Sequence, residues 1–258
     1  MSEWTLPRDH VGSLERGLAV MEVLSRHPSG MTLTDMAAEA GLTRAGARRF
    51  LLTLTATGYA TQSGRLFSLS PRLLSIARTW LQGTSLWSFA EPMMREVSAS
   101  LDESCSAAVL SGEDVVYVAR VPGRRILSVA LNVGTRLPAW CTSMGRVLLS
   151  DLPKAEVMEF LSKATIERRT ERSITDRKEL ALEIASAAKR GFAIVDEELE
   201  IGLRSIAVPI HDRSGKIVAA INVSTQSARF STDAMEREIL PHLRQAAEAI
   251  ENFFLGQG

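Results

Sequence analysis

The chain has 258 residues, and its 30 Lys and Arg balance its 30 Asp and Glu. That length leaves room for two domains, each with its own core, while a net charge of zero gives the chain as a whole no pull on nucleic acid or an anionic membrane. Two cysteines, Cys105 and Cys141, without metal-ligand spacing argue against a disulfide framework and a zinc site, and no apolar run reaches the roughly 20 residues that span a bilayer.

The start, Met1-Ser-Glu-Trp, carries an acid and no apolar run, so it reads as neither a secretory signal nor a transit peptide, and a soluble, cytoplasmic protein is expected. Charge is unevenly placed. Residues 1–84 hold nine Arg against six acids, and the remainder holds 21 Lys and Arg against 24 acids. Between Glu39 and Glu91 there is no Asp or Glu but there are six arginines, the local footprint of a nucleic-acid-binding module.

Ser13 is placed to cap a first helix with Leu14, Leu18, Met21 and Leu24 at helical spacing, ended by Pro28-Ser-Gly30. Thr32, with Asp35 three residues on, opens a second helix that carries Met36, Ala37 and Ala40 and stops at Gly41. Thr43 caps a third, whose inward stripe is Ala47, Phe50, Leu51 and Leu54. Arg49 projects opposite that stripe, Arg48 on its flank and Arg44 in the first turn, the end that enters the major groove when such a helix docks; the small Ala45 and Gly46 permit close approach. After Gly58, two short strands around Ser63-Gly64 read as a hairpin with Arg65 beside its tip. Helix, turn, helix and hairpin make a winged helix-turn-helix over residues 1–70, with Thr43, Arg44, Ala45, Arg48, Arg49 and Arg65 as the DNA-binding set. A small helical bundle with solvated arginines is the bland alternative.

Residues 71–85 read as a linker helix opened by Pro71 and closed by Gly83, with Trp80 and Trp87 as buried aromatics near its end. In the body, residues 86–258, a helix over 86–102 precedes strands at 104–110, 115–120, 126–133, 192–195, 205–210 and 217–223. A last helix, about 232–254, is expected to kink at Pro241. Hairpin-connected strands between helices make this part α+β with a mainly antiparallel sheet.

No phosphate loop, nucleophile elbow or paired histidines are present, so no catalytic residue, metal or cofactor is expected. Cys141 with His211 as a nucleophilic pair is weighed against a buried thiol acting as a small hydrophobe, and the second reading is preferred. Asp196-Glu-Glu198 reads as a solvated loop as readily as an acid-base group. Polar residues inside apolar strands are more telling, because a ligand carboxylate is one way to satisfy them. Asn222 and Ser224 alternate onto one sheet face, Ser205 opens the neighbouring strand, and Arg136 and Arg204 are candidates to neutralise an anion.

Three segments carry a resemblance: Ser13-Leu-Glu-Arg-Gly-Leu-Ala-Val20, Leu137-Pro-Ala-Trp-Cys-Thr-Ser-Met-Gly-Arg146 and Gly202-Leu-Arg-Ser-Ile-Ala-Val-Pro-Ile210. With them the chain resembles the isocitrate-lyase-regulator (IclR) family of bacterial transcription factors over nearly its whole length. The third helix and the Trp140-Cys141 pair resemble the branch that governs catabolism of aromatic acids such as protocatechuate and 4-hydroxybenzoate through the β-ketoadipate route. The resemblance implies a GAF-like effector domain whose pocket residues match at Ser143, Met144, Ser205, Asn222 and Ser224, with Trp140 and Asp196 close by. It also implies homodimers or dimers of dimers on palindromic double-stranded operator DNA. Where many relatives have Ser-Thr this chain has Ala45-Gly46, and where some present an acid to the ligand it has Val195, a shift toward an apolar pocket. The expected function is a transcriptional regulator, not an enzyme, whose operator affinity responds to a small carboxylate, an aromatic acid or a ring-cleavage product. The rivals are an enzyme with a fused nucleic-acid-binding head, and a regulator with no small effector.

Overall fold

In the computed structural model, which describes residues 10–76, 85–123 and 131–255, the chain opens with α1 (Gly12–Arg26). The residue before this helix is Val11, which makes no side-chain cap, so Ser13 lies inside the first turn and does not cap it. Strand β1 (Met31–Thr32), α2 (Leu33–Glu39) and α3 (Arg44–Ala56) follow. Both latter helices start as their sequences predict: the Thr32 hydroxyl accepts from the Asp35 amide and the Thr43 hydroxyl from the Gly46 amide. Strands β2 (Ala60–Ser63) and β3 (Leu66–Leu69) pair around a Gly64-Arg65 turn, which places Arg65 in the tip itself. A third strand was not foreseen: β1 pairs with β3, giving the antiparallel order β1-β3-β2.

The core of this unit is Val20, Val23, Leu24, Met31, Met36, Ala47, Leu51 and Phe67. Of the helically spaced Leu14, Leu18, Met21 and Leu24, Leu24 is buried and Met21 half-buried, while Leu14 and Leu18 are 62% and 52% exposed. Leu24 is buried beside Val20 and Val23, so spacing marks the helix without fixing which positions of its first half face inward. A helix begins after Pro71 and runs through Ile76; the rest of the expected linker, Trp80 included, lies outside the described residues.

The chain divides into two units between Gly83 and Thr84. The second unit is built on a six-stranded sheet in the order β6-β5-β4-β9-β8-β7, with every pairing antiparallel. The strands are β4 (Ser104–Ser111), β5 (Asp114–Val121), β6 (Arg136–Pro138), β7 (Ala193–Asp196), β8 (Leu203–His211) and β9 (Ile217–Gln226). The strand expected over 126–133 falls largely outside the described residues, and Leu131 to Val133 are not strand; among the described residues the short β6 pairs with β5 at that end of the sheet.

Two helical layers sandwich the sheet. On one face lie α4 (Ser85–Leu101) and the C-terminal α8 (Leu240–Leu255), which pack on each other and on β5 and β8. On the other lie α5 (Ser143–Leu149), α6 (Lys154–Lys163) and α7 (Arg177–Arg190), with a short 3-10 turn, Ala139–Cys141, leading into α5. All seven residues of α5 are buried, and it lies directly on β8 and β9. The break expected at Pro241 takes the form of a π-helical turn, Met235–Ile239, immediately upstream. Pro241 has no N–H to return to the residue four back, and a widened turn accommodates that missing bond.

Candidate functional site

On α3, Thr43, Arg44, Ala45, Arg48 and Arg49 are all exposed, and Ala47 and Leu51 anchor the opposite side. None of Arg44, Arg48, Arg49 and Arg65 enters an ion pair or side-chain hydrogen bond among the described residues. The nearest acids are engaged elsewhere: Asp35 accepts from the Thr32 hydroxyl, and Glu39 binds Arg26 and His27. Four free guanidinium groups on one helix and one hairpin tip can meet phosphates or base edges without first breaking a bond.

In the second unit, strand register assembles a polar patch. Val195, Ser205, Ser224 and Ser104 stand in one row across the sheet, and Ala193, Ala207, Asn222, Ser106 and Arg120 in the next. Cα partners in antiparallel strands share a face, so these side chains lie on the face covered by α5, where Ala108, Ala207 and Ala220 join Trp140, Cys141, Met144 and Val147 in one apolar cluster.

Within this patch the hydrogen bonds do not close. Asn222 Nδ2 donates to Ser224 Oγ at 3.0 Å, while Asn222 Oδ1 is buried without a partner. Ser143 Oγ, Trp140 Nε1 and Arg120 Nη1 are likewise buried and unpartnered. Only one further buried side-chain polar atom among the described residues, Trp87 Nε1, is in that state. Orphaned buried polar groups cost about 1–3 kcal/mol each, so the two on this sheet face, Asn222 Oδ1 and Arg120 Nη1, and the two on the helical layer over it, Ser143 Oγ and Trp140 Nε1, leave hydrogen-bonding capacity open. Arg120 is the strongest of them. Its Nη2 donates to Ser104 Oγ at 3.3 Å, no acid pairs with it among the described residues, and burial pulls its pKa below the usual arginine range.

Of the effector residues read from the sequence, Trp140, Ser143, Met144, Ser205, Asn222 and Ser224 are brought together here. Asp196 and Arg204 are not: Asp196, Arg204 and Thr225 form a row of the opposite alternation, on the other face of the sheet. Arg204 Nε donates to Asp196 Oδ1 at 2.6 Å, and Arg172 Nη1 to Asp196 Oδ2 at 3.1 Å, so each charge is already neutralised. Arg136 sits half exposed on the edge strand, with Nε 3.0 Å from Asp114 Oδ2 and Nη2 donating to Ser111 O. Among the described residues, the cation that strand register brings onto this face is Arg120, absent from the residues expected from the sequence, as are Ser104 and Ser106. The alternating serines of Ser104-Cys-Ser106 were a signal for the latter two.

Two glycines set the geometry. A Cβ on Gly145 would fall inside the backbone of Ala139, so only glycine lets α5 close on the 3-10 turn. A Cβ on Gly123 would lie 2.6 Å from the Glu103 carbonyl carbon, and its N–H donates to Ser104 Oγ at 3.1 Å. Beside the patch, Arg146 donates to Glu198 at 2.7 Å in a buried ion pair that ties α5 to the loop after β7; burial holds the Glu198 carboxyl above the usual range against the pull of Arg146. Of the groups of the enzymatic alternative, burial pushes the Cys141 thiol up to about 12, and the His211 ring is engaged at 2.7 Å by Glu251 of α8. Among the described residues no cluster of His, Cys, Asp or Glu could hold a metal ion, and no helix is long and apolar enough to cross a membrane.

A winged helix-turn-helix unit followed by an α+β unit with an unsatisfied polar patch under a buried helix is the architecture of a ligand-responsive transcription factor. Comparison with known families narrows the class. The IclR helix-turn-helix domain matches residues 13–64, and the bacterial transcriptional regulator IclR C-terminal domain matches residues 78–252. The chain belongs to the IclR family of bacterial transcriptional regulators. It is 41% identical over 240 residues to the Pca regulon regulatory protein of Pseudomonas putida, covering 93% of this chain and 82% of that one. It is 31% identical over 256 residues to the p-hydroxybenzoate hydroxylase transcriptional activator of Acinetobacter baylyi, covering 97% and 94%. An IclR homologue from Microbacterium hydrocarbonoxydans, crystallised with 4-hydroxybenzoate, superposes with a TM-score of 0.83 at 26% identity, covering 95% of this chain and all of that one.

Proposed function

We propose that this regulator senses an aromatic carboxylate at the polar patch beneath α5 and that Arg120 binds the carboxylate. The observation that carries the reading is the unpartnered buried Nη1 of Arg120, on the same sheet face as the open Oδ1 of Asn222. A guanidinium matches a carboxylate geometrically, and a desolvated one gains most from that partner. Ser104, Ser106, Ser205 and Ser224 supply hydroxyls around it, and Val195, Met144, Ala207 and Ala220 supply the apolar walls that suit a ring. The relatives' association with p-hydroxybenzoate supports the same chemistry.

In this reading, residues 1–70 are the DNA-binding head, 71–85 the link and 86–258 the effector and oligomerisation domain, and the protein works in the cytoplasm as a dimer or dimer of dimers on a palindromic operator. Thr43, Arg44, Ala45, Arg48, Arg49 and Arg65 contact the duplex, with arginine favouring guanine O6 and N7.

The test is a thermal-melting screen of the purified protein against 4-hydroxybenzoate, protocatechuate, ring-cleavage products, glyoxylate, pyruvate and neutral sugars. A ligand at a hundred times its dissociation constant adds about 2.7 kcal/mol, which at about 2–4 °C per kcal/mol for a protein of this size is a shift of about 5–10 °C. The expected outcome is a selective rise with aromatic acids that Arg120→Met removes while operator binding in the absence of ligand persists. A rise confined to short oxo-acids would overturn the aromatic reading, and an undiminished rise in Arg120→Met would overturn the role of Arg120.

A further inference from the structure

The α6–α7 layer carries a second concave surface, separate from the polar patch. α6 and α7 pack against each other, and a groove of about 670 Å³ lies along them. Its apolar wall is open to solvent: Met158 of α6 is 40% exposed and Leu182 of α7 is 70% exposed, with Ala185 continuing the wall beyond Leu182. Lys178 and Lys189 stand at the two ends of the α7 wall, Lys154 stands at the start of α6, and no acid lines the groove. None of these three lysines enters an ion pair or a side-chain hydrogen bond among the described residues.

An apolar strip rimmed by charge is the anatomy of a docking surface, with the centre supplying burial and the rim supplying selection of partner. The rim here has one sign only. Lys178 and Lys189 are separated by about 16 Å of helix, three turns at a rise of roughly 1.5 Å per residue. We propose that this groove docks a short amphipathic helix of a different protein, whose apolar stripe covers Leu182 and Met158 and whose acids meet Lys154, Lys178 and Lys189. A second copy of the chain presenting the same groove would bring lysine against lysine, which disfavours two-fold self-association through it. The helix-in-groove arrangement needs only spaced apolar anchors and complementary ends, and both are present on this side.

The experiment uses the full chain and two labelled, helix-forming peptide probes of four turns. Both carry leucines at i, i+4 and i+7; one has glutamates at its ends and sides, the other lysines in the same places. Anisotropy titration is expected to show the glutamate probe binding at least about fivefold more tightly than the lysine probe, the effect of two or three exposed pairs. The double variant Lys178→Glu with Lys189→Glu is expected to invert that order. Leu182→Lys is expected to weaken the glutamate probe despite its added positive charge, because an apolar anchor is lost. Absence of binding, equal binding of the two probes, or an order that survives charge reversal would overturn the proposal. Sedimentation of Leu182→Lys is the companion measurement: an unchanged mass is expected, and a smaller assembly would show that the groove is instead an interface between copies.

Discussion

Gly145 and Cys141 are single residues whose surroundings decide their behaviour. Because α5 lies against the Ala139 backbone, Gly145→Ala forces two backbone segments apart; a loss of about 1–3 kcal/mol is expected, read from the urea midpoint. Cys141 is buried beside the same turn, and its thiol, raised to about 12, is on the order of one part in ten thousand thiolate at pH 8. A thiol-disulfide reagent at pH 8 should therefore leave Cys141 unmodified in the folded protein and label it promptly in denaturant. Labelling at the same rate in both conditions would contradict the buried placement. Arg120 is the opposite case, a charge kept partly out of water with Nη1 unpartnered among the described residues, and the ligand selectivity proposed for it is what the melting screen reads.

At the scale of elements, α5 is held by more than apolar contact. Arg146 on α5 and Glu198 after β7 form a buried pair, and Glu198 also accepts from the Ile174 amide. Removing one partner strands the other, so Arg146→Met or Glu198→Leu alone is expected to cost about 3–5 kcal/mol, while the double substitution costs clearly less than the sum of the two. Strict additivity in the double-mutant cycle would show that the pair does not act as a unit. On the DNA-binding side, Thr43 caps α3, and Thr43→Ala should lower the stability of that unit by about 1 kcal/mol. The element boundaries near such caps were legible in the sequence, because Thr32 and Thr43 act through local hydrogen bonds. Ser13 was misleading because a helix can start without a side-chain cap, as α1 does at Val11.

For the whole molecule, charge separation between the two units has a measurable consequence. The chain is neutral overall, so the proposed DNA contacts rest on the arginines of α3 and the hairpin tip, which are unpaired among the described residues. The logarithm of operator affinity should fall linearly with the logarithm of salt concentration, by about 0.9 per phosphate contact, and Arg48→Ala with Arg49→Ala should make the slope shallower by about 0.9 for each phosphate contact they supply. The same double variant should keep the full melting shift with an aromatic acid, since its changes lie in the other unit. Loss of both properties together would point to misfolding.

Local rules carried the sequence reading far: helix caps, hairpin turns, the acid-free arginine stretch and the alternation of Asn222 with Ser224 are all set by neighbours within a few positions. The two-unit organisation, the winged helix-turn-helix and the face bearing Asn222 follow from them. What no local rule decides is which strands lie side by side and in what register. Near its turn the β4–β5 hairpin pairs Ser111 with Asp114 and Ala108 with Tyr117; a bulge between Ala107 and Ala108 then shifts the register, so that Ser106 meets Arg120. Without that one extra residue Arg120 would stand opposite Cys105 and face the other side of the sheet. The same alternation carries Asp196 and Arg204 away from the patch, although their neighbours Val195 and Ser205 face it. Sequence by itself thus determined the elements and the chemistry available, because those depend on residue type and short-range spacing. Tertiary structure alone decided which charge reaches the face bearing Asn222, because a single bulge in strand pairing turns every side chain beyond it to the opposite face.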